Sequence, residues 1–239
     1  MSRRRWIADE TNGNAAALTG DHAVHLSRVL RAKVGQEFDI STGTSVRRGT
    51  ITAISDQRVE FALGAELSTT PAPRLTLALA IFKFDRMEWA IEKCIELGVT
   101  RIVPVIARRT DPHLARAASK RRERWQRLAL QASEQSRRAA LPEIAAPIQL
   151  KDLGSAGASP AAARKIVLAE SENETFLRDA LHSCPYDITL AIGPEGGWTS
   201  DELKWFRDSG WTAASLGDTI LRAETAAIVA TGLALDALR

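Results

Sequence analysis

Two charged residues near the C-terminus, Arg222 and Glu224, stand where they could act on a substrate. They occur in "SLGDTILRAETAAIVATGLAL" (215–235), directly before a run of small and apolar residues that predicts a buried helix. A guanidinium at the start of such a helix can stabilise negative charge that develops in a reaction, and a carboxylate can accept a proton. The simpler alternative is a solvated loop arginine beside a glutamate that favours the first helical turn.

A second candidate is the glycine-rich stretch "AIGPEGGWTSDEL" (191–203), in which Glu195 follows Gly-Pro and precedes Gly-Gly. Glycines let the main chain approach a ligand closely, and the free N–H and C=O groups of such a loop can bind polar atoms. The stretch matches neither G-x-G-x-x-G nor G-x-x-x-x-G-K-[ST], so the usual dinucleotide fingerprint and the P-loop are excluded. A plain tight turn is the alternative, although this loop leads into a helix that carries a Thr199/Glu202 capping box.

A third candidate is "LAESENE" (168–174), which follows another buried strand. In open α/β sheets, ligands bind outside the carboxyl ends of the strands, and all three stretches follow predicted strands. No metal or nucleophile cluster competes with them. Cys94 and Cys184 lie far apart without a Cys-x-x-Cys spacing, and none of the four histidines has an obvious partner. We therefore expect no metal site.

The periodicity of the chain supplies the elements that must position these loops. From residue 74 onwards, strands alternate with helices, which predicts an α/β domain built on a parallel sheet. The predicted strands are 74–82, 101–106, 165–170, 187–194 and 213–217, and the predicted helices are 85–98, 111–138, 199–210 and 224–238. The first 70 residues are β-rich apart from one helical pattern (19–35). We therefore expect one domain over 1–70 and a second over 74–239, joined by "STTPAPR".

The distribution of charge indicates a polyanionic partner. The chain has 239 residues and a net charge of +3, but residues 101–138 hold eleven Lys or Arg against three Asp or Glu. An acidic C-terminal half follows this basic block. Such an asymmetry favours binding to a nucleic acid, with a solvated arginine-rich helix as the alternative. No apolar run predicts a secretory signal or a membrane span, so we expect a cytoplasmic protein without membrane contact.

Several motifs together resemble a known family. "IGPEGGW" followed by "SLGDTILRAETA" is similar to the SPOUT class of methyltransferases, and more narrowly to the RsmE family, which methylates N3 of a uridine in 16S ribosomal RNA. Four further stretches match that family in order and extend the resemblance over nearly the whole chain: "HLSRVLRAKVGQ" (25–36), "KFDRMEWAIEKCIELGVTRIVPV" (83–105), "QASEQSRRAALPEI" (131–144) and "LAESE" (168–172).

The resemblance implies a small PUA-like β-barrel domain followed by a SPOUT α/β domain with a trefoil knot. It also implies a homodimer, and a substrate that is small-subunit ribosomal RNA or the assembled small subunit. The implied cofactor is S-adenosyl-L-methionine, bound by Leu168, Ile192, Gly193, Pro194, Glu195, Gly196, Gly197, Leu216, Gly217, Ile220, Leu221 and Arg222.

The same resemblance implies the chemistry and the RNA contacts. The proton on uridine N3 must leave, and Arg222 would stabilise the resulting negative charge while Glu224 or a water accepts the proton. RNA would be bound by Arg28, Arg31, Lys83, Arg86, Arg137 and Arg138. The sequence departs from the family at Arg137, where glycine is usual, and at Trp6, where phenylalanine is usual.

Two alternatives to base methylation remain from the sequence. One is a ribose 2′-O-methyltransferase of the same superfamily, which the N-terminal barrel and "SEQSRR" disfavour. The other is a non-catalytic RNA-binding module, which the intact "GPEGG" and "LRAET" disfavour.

Overall fold

The computed structural model divides into two compact units. The first covers 1–71 together with 133–141, and the second covers 72–132 and 142–239. The structure describes residues 5–43, 45–67, 74–136, 138, 140–154, 163–182 and 187–238. Within these ranges, no helix is both long and apolar enough to span a lipid bilayer.

The first unit is built on a six-stranded sheet with the order β1-β4-β5-β6-β3-β2. Strands β5 and β6 form a long antiparallel pair, and Val59, Phe61 and Leu63 alternate with exposed residues along β6. This period of two places one face of the strand in the core. The strands are β1 (Arg5–Ile7), β2 (Glu10–Asn12), β3 (Ala15–Thr19), β4 (Glu37–Ser41), β5 (Val46–Ile54) and β6 (Arg58–Glu66).

The helix that the sequence predicts over 19–35 is shorter and less regular in the structure. Helix α1 covers only Gly20–Val24, and the chain then continues in a π-helical turn over His25–Val29. Arg31 has a φ of 50°, in the left-handed region, which no regular right-handed helix contains. The prediction was therefore wrong in extent.

The second unit is built on a sheet in which all strand pairs are parallel, as the sequence predicts. Its order is β10-β8-β7-β12-β11-β13, and β9 also pairs with β8. The strands are β7 (Arg74–Ala80), β8 (Arg101–Ile106), β9 (Glu143–Ile144), β10 (Ile148–Gln149), β11 (Arg164–Leu168), β12 (Asp187–Ile192) and β13 (Thr212–Ala214). The helices are α2 (Phe84–Leu97), α3 (Pro112–Gln135), α4 (Leu177–Ala180), α5 (Ser200–Asp208) and α6 (Ala223–Ala237).

Strand β7 shows why this sheet is buried on both faces. Leu75, Leu77 and Leu79 belong to one apolar cluster, whereas Ala78 and Ala80 belong to another. Alternate side chains of a strand point to opposite faces, so each face of β7 contributes to its own core. The continuous apolar run in the sequence reflects this double burial.

Helix α2 buries the apolar stripe that the sequence predicts, including Cys94, against the sheet and α6. It ends at Leu97, and the C-cap residue Gly98 has a φ of 132° that favours glycine, in agreement with the predicted stop. The predicted N-cap was wrong: Lys83 occupies the N-cap position without a side-chain hydrogen bond to the helix, and Asp85 lies inside the first turn. An acidic residue is favoured at either position, because both are close to the positive end of the helix dipole.

The three neighbouring strands β12, β11 and β13 end two or three residues earlier than their sequence patterns predict. They end at Ile192, Leu168 and Ala214 respectively. Because these strands are parallel, their carboxyl ends meet at one edge of the sheet. The loops that follow them are therefore neighbours, and they include the three stretches that the sequence singled out.

Candidate functional site

A cavity of about 250 Å³ lies at this edge of the second unit. It is enclosed by the loops after β11, β12 and β13, together with the start of α6 and Arg109 from the loop after β8. Its location is the one at which open parallel sheets bind ligands.

The structure brings together most of the residues that the family resemblance assigned to the cofactor. Those lining the cavity are Leu168, Ile192, Gly193, Pro194, Glu195, Gly196, Gly197, Leu216, Gly217, Ile220 and Leu221. Arg222 is the exception, since it does not line the cavity although both of its neighbours in the chain do.

The glycine-rich turn after β12 is held in a tight conformation. The Gly197 N–H donates a hydrogen bond to the Pro194 carbonyl over 2.8 Å, and Gly197 has a φ of 68°. A side chain would be strained at that φ. A Cβ atom on Gly193 would lie 3.3 Å from Nε1 of Trp198, so this position also has little room for a larger residue.

The capping box predicted at the start of α5 is present. The Thr199 hydroxyl accepts a hydrogen bond from the Glu202 N–H, and the Glu202 carboxylate accepts one from the Thr199 N–H. The buried Glu202 carboxylate also accepts a hydrogen bond from the Arg108 N–H, over 2.7 Å. The cap therefore ties the glycine-rich turn to the loop after β8.

Arg109 is a cavity residue that the sequence reading missed. Its guanidinium donates hydrogen bonds to the carbonyl oxygens of Gly196 and Trp198. Glu170 lines the cavity beside the same turn. Arg109 follows a predicted buried strand by a few residues, and this position could have indicated that it lies at the cavity. The carboxyl ends of parallel strands share one edge of the sheet.

Arg222 and Glu224, which are close in the sequence, lie in different environments at the start of α6. Arg222 is its N-cap residue and is exposed. Glu224 is buried two residues later, and its Oε1 lies 3.8 Å from Nε of Arg86. Arg86 also reaches Glu195, with 3.2 Å between Nη1 and Oε1. Arg222 and Glu224 therefore face different surroundings.

The residues assigned to RNA occupy both units. In the first, Arg28 forms an ion pair with Asp56 over 2.6 Å, and Arg31 has the left-handed backbone noted above. Arg138 is partly buried, and burial lowers the pKa of its guanidinium to about 10. Arg137 lies outside the described residues.

In the second unit, Lys83 is exposed at the start of α2, and Arg86 forms the contacts already given. Much of the basic block on α3 is engaged within the unit. Arg121 and Arg124 form ion pairs with Glu88, and Arg122 donates a hydrogen bond to the Ile144 carbonyl. Within the described ranges, no group of three or more His, Cys, Asp or Glu side chains is arranged to hold a metal ion.

The chain matches proteins that modify RNA. Residues 69–235 match a family model described as an RNA methyltransferase domain. Two curated relatives named ribosomal RNA small subunit methyltransferase E, from Synechocystis and Rickettsia conorii, are each 34% identical. The alignment with the Synechocystis protein covers 96% of this chain and 76% of that protein. The alignment with the Rickettsia protein covers 89% of this chain and 86% of that protein.

Two solved structures support the same relationship. A ribosomal RNA small subunit methyltransferase E from Neisseria gonorrhoeae, bound to S-adenosyl methionine, is 29% identical with a TM-score of 0.80 over 96% of this chain and 95% of that one. A putative methyltransferase from Legionella pneumophila in complex with the same cofactor is 27% identical with a TM-score of 0.81, over 99% and 98%.

Proposed function

Because the chain belongs to the RNA methyltransferase family that includes ribosomal RNA small subunit methyltransferase E, we propose that it methylates N3 of a uridine in small-subunit ribosomal RNA. The methyl donor is S-adenosyl-L-methionine. The observation that carries this proposal is the cavity, in which eleven residues of the family's cofactor motifs meet at the carboxyl ends of three parallel strands.

The residues of the cavity suit this donor. The glycine-rich turn and the loops after β11 and β13 offer main-chain groups, which can bind the adenine and the amino-acid portion without large side chains. The lining also holds three carboxylates, on Glu170, Glu195 and Asp218, against the one guanidinium of Arg109. This charge is compatible with a donor whose sulfur is positive. The bound donor supplies an activated methyl group, and the protein supplies alignment.

Arg222 is the proposed stabiliser of the uracil anion. It is exposed, and it sits between Leu221 and Ala223, which both line the cavity. A guanidinium at the cavity mouth would stabilise the negative charge that spreads over N3 and the two carbonyl oxygens. The RNA strand would be held by phosphate contacts from Arg28, Arg31, Lys83, Arg137 and Arg138, which give an affinity that falls as salt rises. Arg86, which the resemblance also assigned to RNA, contacts Glu195 and Glu224 instead.

The finer features of the fold belong to the same proposal. The first unit would be a PUA-like barrel over 1–70, with residues 133–141 of the chain added to it, and the domain over 74–239 would contain the trefoil knot. A homodimer is supported by apolar side chains left exposed on two helices that pack together, namely Trp89 on α2 and Val229 and Leu233 on α6. The site of action would be the cytoplasm.

Two measurements test the function. Calorimetry of the purified chain with S-adenosylmethionine should show saturable binding, competed by the demethylated product. Mass spectrometry of small-subunit RNA, either free or within the assembled subunit, should locate one new methyl group on a uracil base. A methyl group on a ribose would favour the 2′-O alternative. A chain that binds RNA but shows no binding of S-adenosylmethionine would favour the non-catalytic module.

A further inference from the structure

Three charged side chains of the second unit form a connected row, which we call the Arg86 bridge. The Arg86 guanidinium contacts Glu195 on one side, with 3.2 Å between Nη1 and Oε1. On the other side it faces Glu224, with 3.8 Å between Nε and Oε1. One guanidinium thus serves two carboxylates from the glycine-rich turn and from α6.

The two carboxylates of the Arg86 bridge differ in their access to the cavity. The Glu195 side chain is 40% exposed and lines the cavity. The Glu224 side chain is 8% exposed and does not line it. The Oε2 atom of Glu224 is enclosed and accepts no hydrogen bond from the described residues. A buried carboxylate in this state depends strongly on a nearby cation, and among the described residues Arg86 lies within ion-pair distance, so Glu224 favours a fixed position for Arg86.

The reaction needs a base that reaches the cavity, because uridine N3 carries a proton at neutral pH. The Glu224 side chain is buried and does not line the cavity, so a carboxylate of the lining is better placed to take this proton. Of the three carboxylates that line the cavity, Glu195 is the one that an arginine contacts within the described ranges. The contact with Arg86 orients the Glu195 carboxylate, and a general base must be held in a fixed position near the proton that it accepts.

We propose that Glu195 accepts the N3 proton, that Arg86 positions the Glu195 carboxylate, and that Glu224 holds Arg86 in place. This assignment rests on the proposed function. As the N3–H bond breaks, the proton moves to a Glu195 oxygen, and N3 keeps the electron pair that forms its bond to the methyl carbon. The methyl–sulfur bond breaks with its electron pair on sulfur, which leaves a neutral thioether. Arg86 then faces one charged carboxylate, that of Glu224, instead of two.

The variant that tests the proton acceptor is Glu195→Gln, which keeps the shape of the side chain. Because Glu195 also lines the donor cavity, calorimetry measures the affinity of the variant for S-adenosylmethionine, and rates are compared at saturating donor. We expect kcat at neutral pH to fall about 100-fold or more, the effect typical of losing a general base. As pH rises and N3 ionises without help, the variant should approach the wild-type rate. RNA containing 5-fluorouridine, whose N3 is more acidic, should restore much of the lost rate.

Glu170→Gln provides the matched control, since Glu170 lines the same cavity but belongs to a different loop. It should gain no rate from 5-fluorouridine beyond that seen with the wild type. If Glu170→Gln shows this rescue instead, or if Glu195→Gln turns over at the wild-type rate, the assignment to Glu195 is wrong. If the wild type itself transfers no methyl group to RNA, the proposed function fails, which is a distinguishable outcome.

The positioning role of Glu224 is tested by a double-mutant cycle on kcat. Glu224→Gln alone should lower kcat about 10-fold, because Arg86 loses its second anchor, whereas the same change in a Glu195→Gln background should have little further effect. Residues that act through one another show this non-additivity. Independent, multiplying effects of the two changes would overturn the role of the Arg86 bridge.

Discussion

The indole of Trp198, which follows the glycine-rich turn, donates a hydrogen bond from Nε1 to the main-chain oxygen of Leu168 over 3.1 Å. Leu168 is the last residue of β11, so this bond joins two of the three loops that enclose the cavity. The buried Trp198 ring also packs against Phe206 of α5, with 4.9 Å between ring centroids. One side chain therefore fixes the spacing between neighbouring strand ends.

The variant Trp198→Phe should lose this bond while keeping an aromatic ring in place. We expect unfolding to become easier by about 1–2 kcal/mol, because the Leu168 carbonyl loses its partner in a buried site. The affinity for S-adenosylmethionine should fall with it. Urea denaturation and calorimetry measure the two effects. Trp205→Phe is the control, because Trp205 also packs against Phe206 but is only half-buried. Equal losses in the two variants would contradict the role of the hydrogen bond.

Alanine variants of Gly197 and Gly210 distinguish the effect of backbone strain from the role of the glycine-rich turn in binding the methyl donor. Both have a left-handed φ, 68° and 76°, but only Gly197 lines the cavity. Each change to alanine should destabilise the protein by about 1 kcal/mol. Gly197→Ala should in addition weaken binding of S-adenosylmethionine, whereas Gly210→Ala should leave it unchanged. The prediction fails if both variants bind the donor as well as the wild type does.

Arg222→Ala tests the proposed stabiliser of the uracil anion. A positioned guanidinium that stabilises developing negative charge contributes about 100-fold to kcat. The variant should therefore lose that factor while binding S-adenosylmethionine normally. The measurement is single-turnover methylation with saturating RNA and donor. Arg207→Ala, at an exposed arginine of α5, is the control and should retain the wild-type rate. Wild-type turnover by Arg222→Ala would show that another group stabilises the anion.

His22 should make the stability of the first unit depend on pH. Its Nε2 lies 2.5 Å from Oε1 of Glu134, and its Nδ1 lies 2.9 Å from Oδ1 of Asp9. The hydrogen bond to Glu134 is the main cause that raises the pKa of His22 to about 9, against the opposing effect of burial. Because the folded pKa exceeds the unfolded value of 6.5, this stabilisation is complete below pH 6.5 and is lost as pH rises through 9.

Accordingly, His22→Gln should lower the free energy of unfolding by roughly 1–3 kcal/mol at pH 6, with the difference from wild type shrinking towards pH 10. Urea denaturation at several pH values checks this dependence. His25→Gln serves as the control, because His25 is exposed and contacts the same Trp6 ring. A loss that is the same at pH 6 and pH 10 would contradict an ionic role for His22.

Local patterns in the sequence were sufficient for most elements of the second unit. The capping box at Thr199, the glycine stop at Gly98 and the all-parallel sheet are each found as predicted. These three features could be predicted because they depend on neighbouring residues, on periodicity or on the order of strands and helices along the chain. The helix over 19–35 failed because its hydrophobic pattern does not report the π-helical turn or the left-handed Arg31.

By itself, the sequence determined the three loops, because glycine turns and strand ends leave signals within a few positions, and its resemblance to a known family gave eleven of the cavity residues. Only the tertiary structure decided which charged groups meet. Arg109 reaches Gly196 across 87 positions of the chain, and Arg86 reaches Glu195 across 109. The sheet order brings these segments together, whereas the burial of Glu224 and the exposure of Arg222 follow from how α6 packs against α2. Such contacts join residues that are remote in the chain, and no local pattern encodes them.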